Sequence, residues 1–243
     1  MCGRYALAGS PDKIEKRFGV REASFKFSSK YNVTPGAMMP IVKHDVDDTV
    51  AVLAKWGLVP FWAKDPAIGY KMINARAETV IEKPAFRKAF TQGRCLVPTS
   101  GFYEWTPLRP SISSGLRGAG SLKREKIPYF IHLKSADIFS FAGLFDIWHD
   151  AEGRDLLTFT ILTTEPNSVI ADIHSRMPVI LSKAQENVWI SPSSKTDTLT
   201  AFLTPLPSTD IEAYKVSTAV NNPENDSPEL LKKAIYPVNP TLL

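Results

Sequence analysis

Residues 1–4 read Met-Cys-Gly-Arg. Cys2 is small enough for methionine aminopeptidase to remove Met1, and the chain would then start with an α-amine and a thiol on neighbouring carbons. No internal residue offers this pair. An α-amine titrates near pH ~7.7–8.0 and a thiol near ~8.5, so useful fractions of free amine and thiolate coexist at neutrality. The amine can condense with an aldehyde to an imine, and the thiolate can then close a five-membered thiazolidine. Alternatively, the thiolate attacks a carbonyl as an N-terminal nucleophile. Against both stands the plain reading of a chance Cys after a translation start, because so short a motif says little without context.

Three further segments set polar groups among apolar and aromatic ones. In Ile73-Asn74-Ala75-Arg76-Ala77-Glu78-Thr79, Asn74 and Arg76 share a face if the segment is extended. Asn supplies a donor and an acceptor, and Arg a fork matched to phosphate. The competing reading is a turn with a surface Arg. In Gly101-Phe102-Tyr103-Glu104-Trp105, a carboxylate sits among aromatics. An apolar shell raises its pKa and makes it a proton shuttle near neutrality. Trp105 offers a stacking face for a base. An ordinary strand with Glu104 facing solvent would look the same. In Asp172-Ile173-His174-Ser175-Arg176-Met177-Pro178, His174 is a candidate acid or base and Arg176 a phosphate clamp. A capped helix end with a hydrogen-bonded His is the alternative. Residues 31–36 and 56–62 read as turn-like segments whose rings line a groove or close the core. Residues 216–222 read as a strand leaving into a polar turn, with no chemical role of their own.

Composition narrows the setting. The 243 residues, 44% hydrophobic and 22% charged, suit a soluble globular protein with a substantial core. Twenty-nine basic against 25 acidic residues, a net +4, permit a polyanionic partner without demanding one. Two Cys, Cys2 and Cys95, make neither a disulfide framework nor a zinc spacing, which points to a reducing cytosol. With four His and no HExxH pattern, no catalytic metal is expected. Neither a signal peptide nor an apolar run of membrane-spanning length is present.

These groups need a scaffold of short elements, since 19 Pro are scattered along the chain. Helices are expected at 11–18, 83–90, 167–173, from Ser182 onward with Gln185 completing a capping box, and at 227–234. Strands are expected at 38–43, 49–56, 95–97, 129–133, 139–145 and 157–162. The Pro-, Ser-, Gly- and base-rich stretch 106–126 reads as a mobile basic surface loop between two strands. Its cations could touch nucleic acid, although a solvated insertion is the plainer reading. The class expected is α+β: a single domain over 1–243, built on a large, mostly antiparallel, partly closed β-sheet with short peripheral helices.

Taken together and in order, MCGRY, YNVTPG, WGLVPFW, INARAET, RCLVPTSGFYEW, ADIHSRMPV and VSTAVNN resemble the SRAP (SOS response-associated peptidase) family of abasic-site processing proteins. The resemblance spans nearly the whole chain. It implies a positively charged groove for single-stranded DNA, and a thiazolidine between Cys2 and the ring-opened aldehyde of an abasic site. On that pattern Cys2 is the nucleophile and Asn74 hydrogen-bonds the sugar or the new ring. Glu104 shuttles the proton for imine formation and reversal, and His174 assists ring opening. Arg4, Arg76 and Arg176 resemble the phosphate contacts and Thr163 a minor backbone contact, while Pro35 and Trp105 resemble stacking surfaces. The partner implied is abasic single-stranded DNA, with no cofactor, no metal and no membrane, for a cytoplasmic, nucleoid-associated monomer. The family label implies imine or lyase-type chemistry and autopeptidase loss of Met1, a step ordinary aminopeptidase would also perform. The sequence departs from some relatives at Ala63, where they carry a second Trp. Two other classes remain open: a thiol peptidase or N-terminal nucleophile hydrolase using Cys2 or Cys95 with His174, and a non-catalytic single-stranded-DNA binding module.

Overall fold

Two β-sheets flanked by short helices make up the molecule, seen in a computed structural model that describes residues 2–20, 25–46, 48–107 and 126–236. The strands are β1 (Tyr5–Leu7), β2 (Lys30–Val33), β3 (Met38–Asp45), β4 (Asp48–Trp56), β5 (Asn74–Arg76), β6 (Arg94–Thr99), β7 (Gly101–Pro107), β8 (Lys126–Leu133), β9 (Phe139–His149), β10 (Asp155–Thr164), β11 (Met177–Pro178), β12 (Ile180–Leu181) and β13 (Ile211–Lys215). The helices are α1 (Pro11–Phe18), α2 (Pro84–Gln92), α3 (Ser168–Ala171), α4 (Lys183–Ile190) and α5 (Thr196–Ala201). One sheet runs β13-β8-β7-β1-β2 and the other β11-β10-β4-β3-β6-β9-β12, with β5 added on β10. A β9–β10 pairing from Asp155↔His149 to Ile161↔Gly143 joins the ends of β10-β4-β3-β6-β9 into a closed ring. The expected α+β class is therefore observed, with the strands divided between a barrel and a second sheet. Among the described residues, only the pairings of β10 with β4 and β5 are parallel.

Local sequence explains most elements. α1 has the expected bounds, buries Ile14, and stops where Gly19 takes φ 64°. Ser182 opens α4, its N–H donating to Gln185 Oε1 at 2.9 Å. Elsewhere long-range pairing overrides the local pattern. The helix expected at 227–234 is one 3-10 turn, Pro228–Leu231, because Lys233 is drawn into a bridge with Val216 and the Ala234 N–H bonds Lys215 O. The helix expected at 167–173 shortens to α3, with Asn167 Oδ1 capping Ile170 N at 3.1 Å. Residues 31–33, expected in a turn, belong to β2 with Asn32 buried, and 216–222 hold the 3-10 turn Thr218–Asn221 rather than a strand. Of the loop expected at 106–126, Thr106 and Pro107 end β7 and Lys126 begins β8, while 108–125 lie outside the described residues.

The barrel core centres on Tyr5, Trp56, Phe141 and Phe159, with Tyr5 edge-on to Trp56 at 5.1 Å and to Phe141 at 6.2 Å. Trp56 is thus core, and its Nε1 donates to Ile73 O at 2.9 Å, one residue before Asn74. Gly57 follows with φ 125°, and a Cβ there would lie 2.7 Å from Gly69 O. This close approach, and the Leu58 N–H bond to Met72 O at 3.1 Å, hold the segment that delivers β5.

Arg94 ties the helices to the barrel. Buried at the start of β6, it donates from Nε to Trp189 O, from Nη1 to Phe90 O and Thr91 O, and from Nη2 to Ser191 O, all at 2.6–2.8 Å. Arg94→Ala would orphan these carbonyls and leave a cavity. A loss of about 3–5 kcal/mol is expected in urea unfolding, and an unchanged midpoint would contradict this account.

Candidate active site and nucleic-acid interface

Four segments distant in sequence meet at Cys2. The chain leads from Cys2 into β1, which pairs with β7 at Tyr5↔Phe102, and the Tyr103 N–H bonds Arg4 O at 2.9 Å. Glu104 therefore lies on β7 just beyond its pairing with β1, beside the residues that lead from Cys2 into that strand. Asn74 opens β5, in parallel register with Ile161 of β10. His174 follows α3, its N–H bonded to Ile170 O at 2.8 Å.

Cys2 is wholly buried, its Sγ 3.9 Å from Arg4 O. Asn74 Nδ2 donates to Cys2 O at 2.8 Å, while its Oδ1 is buried with no partner among the described residues. This leaves a buried acceptor beside Cys2 that can take a hydrogen bond from an incoming donor. Glu104 is 4% exposed, and its Oε2 lies 3.9 Å from His174 Nε2. The Arg176 N–H points at His174 Nδ1 at 3.0 Å. Nδ1 also lies 3.2 Å from Arg176 O, so it accepts from the N–H in one tautomer and donates to the carbonyl in the other, while Nε2 faces the carboxylate in both.

Burial sets the electrostatics. It pushes the Glu104 carboxyl up to about 7, partly offset by the positive charge of Lys126. Burial likewise pushes the Cys2 thiol well above the usual range, and the Glu104 charge pushes it further. Desolvation lowers the His174 imidazole and keeps it neutral at pH 7. At neutrality the site thus holds a protonated thiol, a neutral imidazole and a carboxyl near half ionisation. That set can give and take protons near neutrality. It is poorly suited to a standing thiolate.

The other expected residues fall into two groups and one isolated position. Half-buried Arg4 donates from Nη1 to Asn32 Oδ1 at 2.7 Å and Val220 O at 2.8 Å, with Cζ 5.7 Å from the Trp105 ring centroid. Trp105 is fixed in turn by its Nε1 bond to Asn221 Oδ1 at 2.7 Å. Arg76 is exposed and pairs in register with Thr163, while Arg176 Nη2 donates to Thr163 O at 2.5 Å. Thr163 is fully buried, and its Oγ1 lies 3.4 Å from both Ala75 O and Arg176 Nη2, so its carbonyl and its hydroxyl both face Arg176. Pro35 occupies the turn between β2 and β3, half-buried, beside Gly36, whose N–H bonds Trp56 O at 2.8 Å.

Sequence reasoning missed the residues that aim these groups. Buried Asn32 gathers the carbonyls of Val220, Asn222 and Asn225 through Nδ2 and holds Arg4 through Oδ1. Its signal was an Asn between Tyr31 and Val33, a polar group that a strand buries only when satisfied. The 216–222 segment, read without a role, supplies Val220 O to Arg4 and Asn221 to Trp105. Cys95 is also buried, with its carbonyl bonded by Trp189 Nε1 at 3.1 Å. Among the described residues no group of three or more His, Cys, Asp or Glu could hold a metal ion, and no helix is long and apolar enough to cross a membrane.

Comparisons with known proteins give the family and the fold. The family model described as SOS response associated peptidase (SRAP) matches residues 1–223. The abasic site processing protein YoqW of Bacillus subtilis is 43% identical over 235 residues, covering 96% of this chain and 99% of that protein. The abasic site processing protein HMCES of Xenopus tropicalis is 30% identical, covering 97% of this chain and 79% of that one. A crystal structure of a Bacteroides thetaiotaomicron protein superposes with a TM-score of 0.82 at 28% identity, covering 96% of this chain and all of that one.

Proposed function

The chain belongs to the SRAP family, and from that membership we propose that it senses abasic sites in single-stranded DNA and crosslinks to them through a Cys2 thiazolidine. The observation that carries this reading is the placement of Asn74 against Cys2 O and of Glu104 near Cys2, with His174 facing Glu104, from separate segments of the fold. Loss of Met1, by the protein itself or by an aminopeptidase, frees the Cys2 amine. The amine adds to the C1′ aldehyde of the opened sugar, and loss of one water gives the imine. The sulfur then adds to the imine carbon while the thiol proton moves to nitrogen. No electrons are exchanged. Glu104 relays the protons, Asn74 Oδ1 accepts from a sugar hydroxyl or the new ring N–H, and His174 assists ring opening. Placement of amine, thiol and aldehyde together makes the condensation effectively intramolecular.

An abasic site has no base to read, so recognition falls to the backbone and the aldehyde. Arg4, Arg76 and Arg176 take phosphates, Thr163 contributes a backbone contact, and Pro35 and Trp105 offer stacking faces. The crosslink shields the lesion during the DNA damage response. The same imine gives a lyase-type strand cleavage when ring closure fails. The protein acts in this reading as a single-domain cytoplasmic monomer.

The test is a denaturing gel of Met1-processed protein with single-stranded DNA bearing one abasic site. A heat-stable shifted band is expected with wild type and Cys95→Ala, and none with Cys2→Ala or with intact DNA. Absence of the band with Met1 confirmed lost would refute the reading.

A further inference from the structure

We propose that the Glu78 carboxylate is a built-in stand-in for a DNA backbone phosphate, occupying the Arg176 fork until an incoming strand displaces it. The inference rests on the reading above only in taking nucleic-acid phosphate as the ligand of Arg76 and Arg176.

Glu78 lies two residues beyond Arg76, in the 3-10 turn Ala77–Thr79 that follows β5. Its two oxygens meet Arg176 Nη1 at 2.5 Å and Nη2 at 2.9 Å. This is the parallel, two-bond geometry that a guanidinium offers to carboxylate and phosphate alike. Arg76 also acts on Glu78 electrostatically, so the carboxylate sits in the field of both arginines expected to hold phosphate. The Glu78 side chain is 51% exposed and that of Arg176 15%, so the carboxylate forms the outer cover of the fork.

The fork does not depend on Glu78 for its position. Arg176 Nη2 also donates to Thr163 O, on the strand that pairs with Arg76. When Glu78 swings out, a guanidinium anchored to backbone is left facing solvent. While Glu78 stays, the pair presents no net charge to a strand. Arg176 holds the Glu78 carboxyl below the usual carboxylate range, so the cover persists throughout the neutral range.

Every strand meets this competitor equally, damaged or intact. Residence on intact single strands is therefore shortened. A lesion-bearing strand is retained by its covalent bond instead, which does not need high equilibrium affinity.

Fluorescence anisotropy of an intact single-stranded oligonucleotide across a salt series tests the idea, with wild type, Glu78→Gln, Arg176→Gln and the double variant. Glu78→Gln is expected to tighten binding about fivefold, the upper end for a bidentate pair near the surface. The log K against log salt slope should stay close to that of wild type, because the same phosphate is neutralised once Glu78 is displaced. A slope steeper by about 0.7, one more neutralised phosphate on a single strand, would mean that the strand never displaces Glu78 and would overturn the proposal. In the Arg176→Gln background the same change should have little effect. Equal tightening in both backgrounds would mean general charge removal and overturn the proposal, as would unchanged or weaker binding by a Glu78→Gln protein of normal Tm. Glu78→Ala repeats the measurement without the hydrogen bond Gln could retain. The wild-type adduct gel run alongside keeps the two readings separate. An adduct with no effect of Glu78→Gln removes this inference alone, and no adduct removes the crosslinking reading while the anisotropy still decides the competition for phosphate.

Discussion

Cys2→Ser protein, with Met1 removed, is expected to form the imine with abasic DNA yet leave no heat-stable adduct. The substituted residue keeps the α-amine, so condensation with the aldehyde proceeds. The Ser hydroxyl is a far weaker nucleophile than a thiol, so ring closure fails. The stable band should fall by at least ~100-fold, and borohydride should restore it by reducing the C=N bond to an amine. Untrapped imine drains by β-elimination, so cleaved strand should accumulate as the band disappears. Cys2 is fully buried, and one hydroxyl for one thiol there should change stability by only about 1 kcal/mol, so a normal melting curve separates chemistry from misfolding. A heat-stable band from the Ser protein without reductant would show that the sulfur does not close the ring.

Glu104→Gln should have opposite effects on rate and stability. The carboxyl between β1 and β8 is the proton relay of the proposed condensation, so crosslinking is expected to slow by about 10²–10⁴-fold and lose its pH dependence around 7. Stability should move the other way. The carboxyl is raised from an ordinary 4.5 to about 7 by burial. Below the ordinary value both folded and unfolded chains hold the proton, and no penalty exists. As pH rises past it the unfolded chain ionises first, so folding weakens until the folded carboxyl also ionises near 7. Above that pH the penalty levels off at about 3 kcal/mol. Gln carries no such charge. Urea midpoints of wild type and Glu104→Gln should therefore coincide near pH 4 and separate by pH 8, with the variant more stable. Parallel curves across that range would show that burial does not govern this carboxyl.

Where local chemistry was enough, the chain could be read directly. Helix α1, bounded by Pro11 and Gly19, and the Ser182–Gln185 start of α4 involve neighbours a turn apart, and both stand as expected. Strands β3, β4, β9 and β10 showed as apolar or β-branched runs, although each extends beyond the run because pairing continues past it. β1, β5, β11, β12 and β13 are two to five residues long, too short for a periodicity to appear. The 227–234 segment has a helical start signal, and its pairing with Val216 defeats it.

From the sequence by itself came the candidate reactive parts: Cys2, an Asn, a Glu and a His in polar islands, and seven ordered motifs that resemble one family. Residue type determines what a group can do as nucleophile, acid or fork, and order carries family likeness. Tertiary structure alone decided their state and their partners. Closure of β10-β4-β3-β6-β9 and the packing of β7 against β1 bury Glu104 beside Cys2, and that desolvation, absent from any local pattern, makes it a group that titrates near 7. Arg4 is held by Asn32, 28 residues away, and by Val220, 216 residues away, while Glu78 caps Arg176 across 98 residues. Hydrogen bonds and desolvation act through space, so spacing along the chain announces neither.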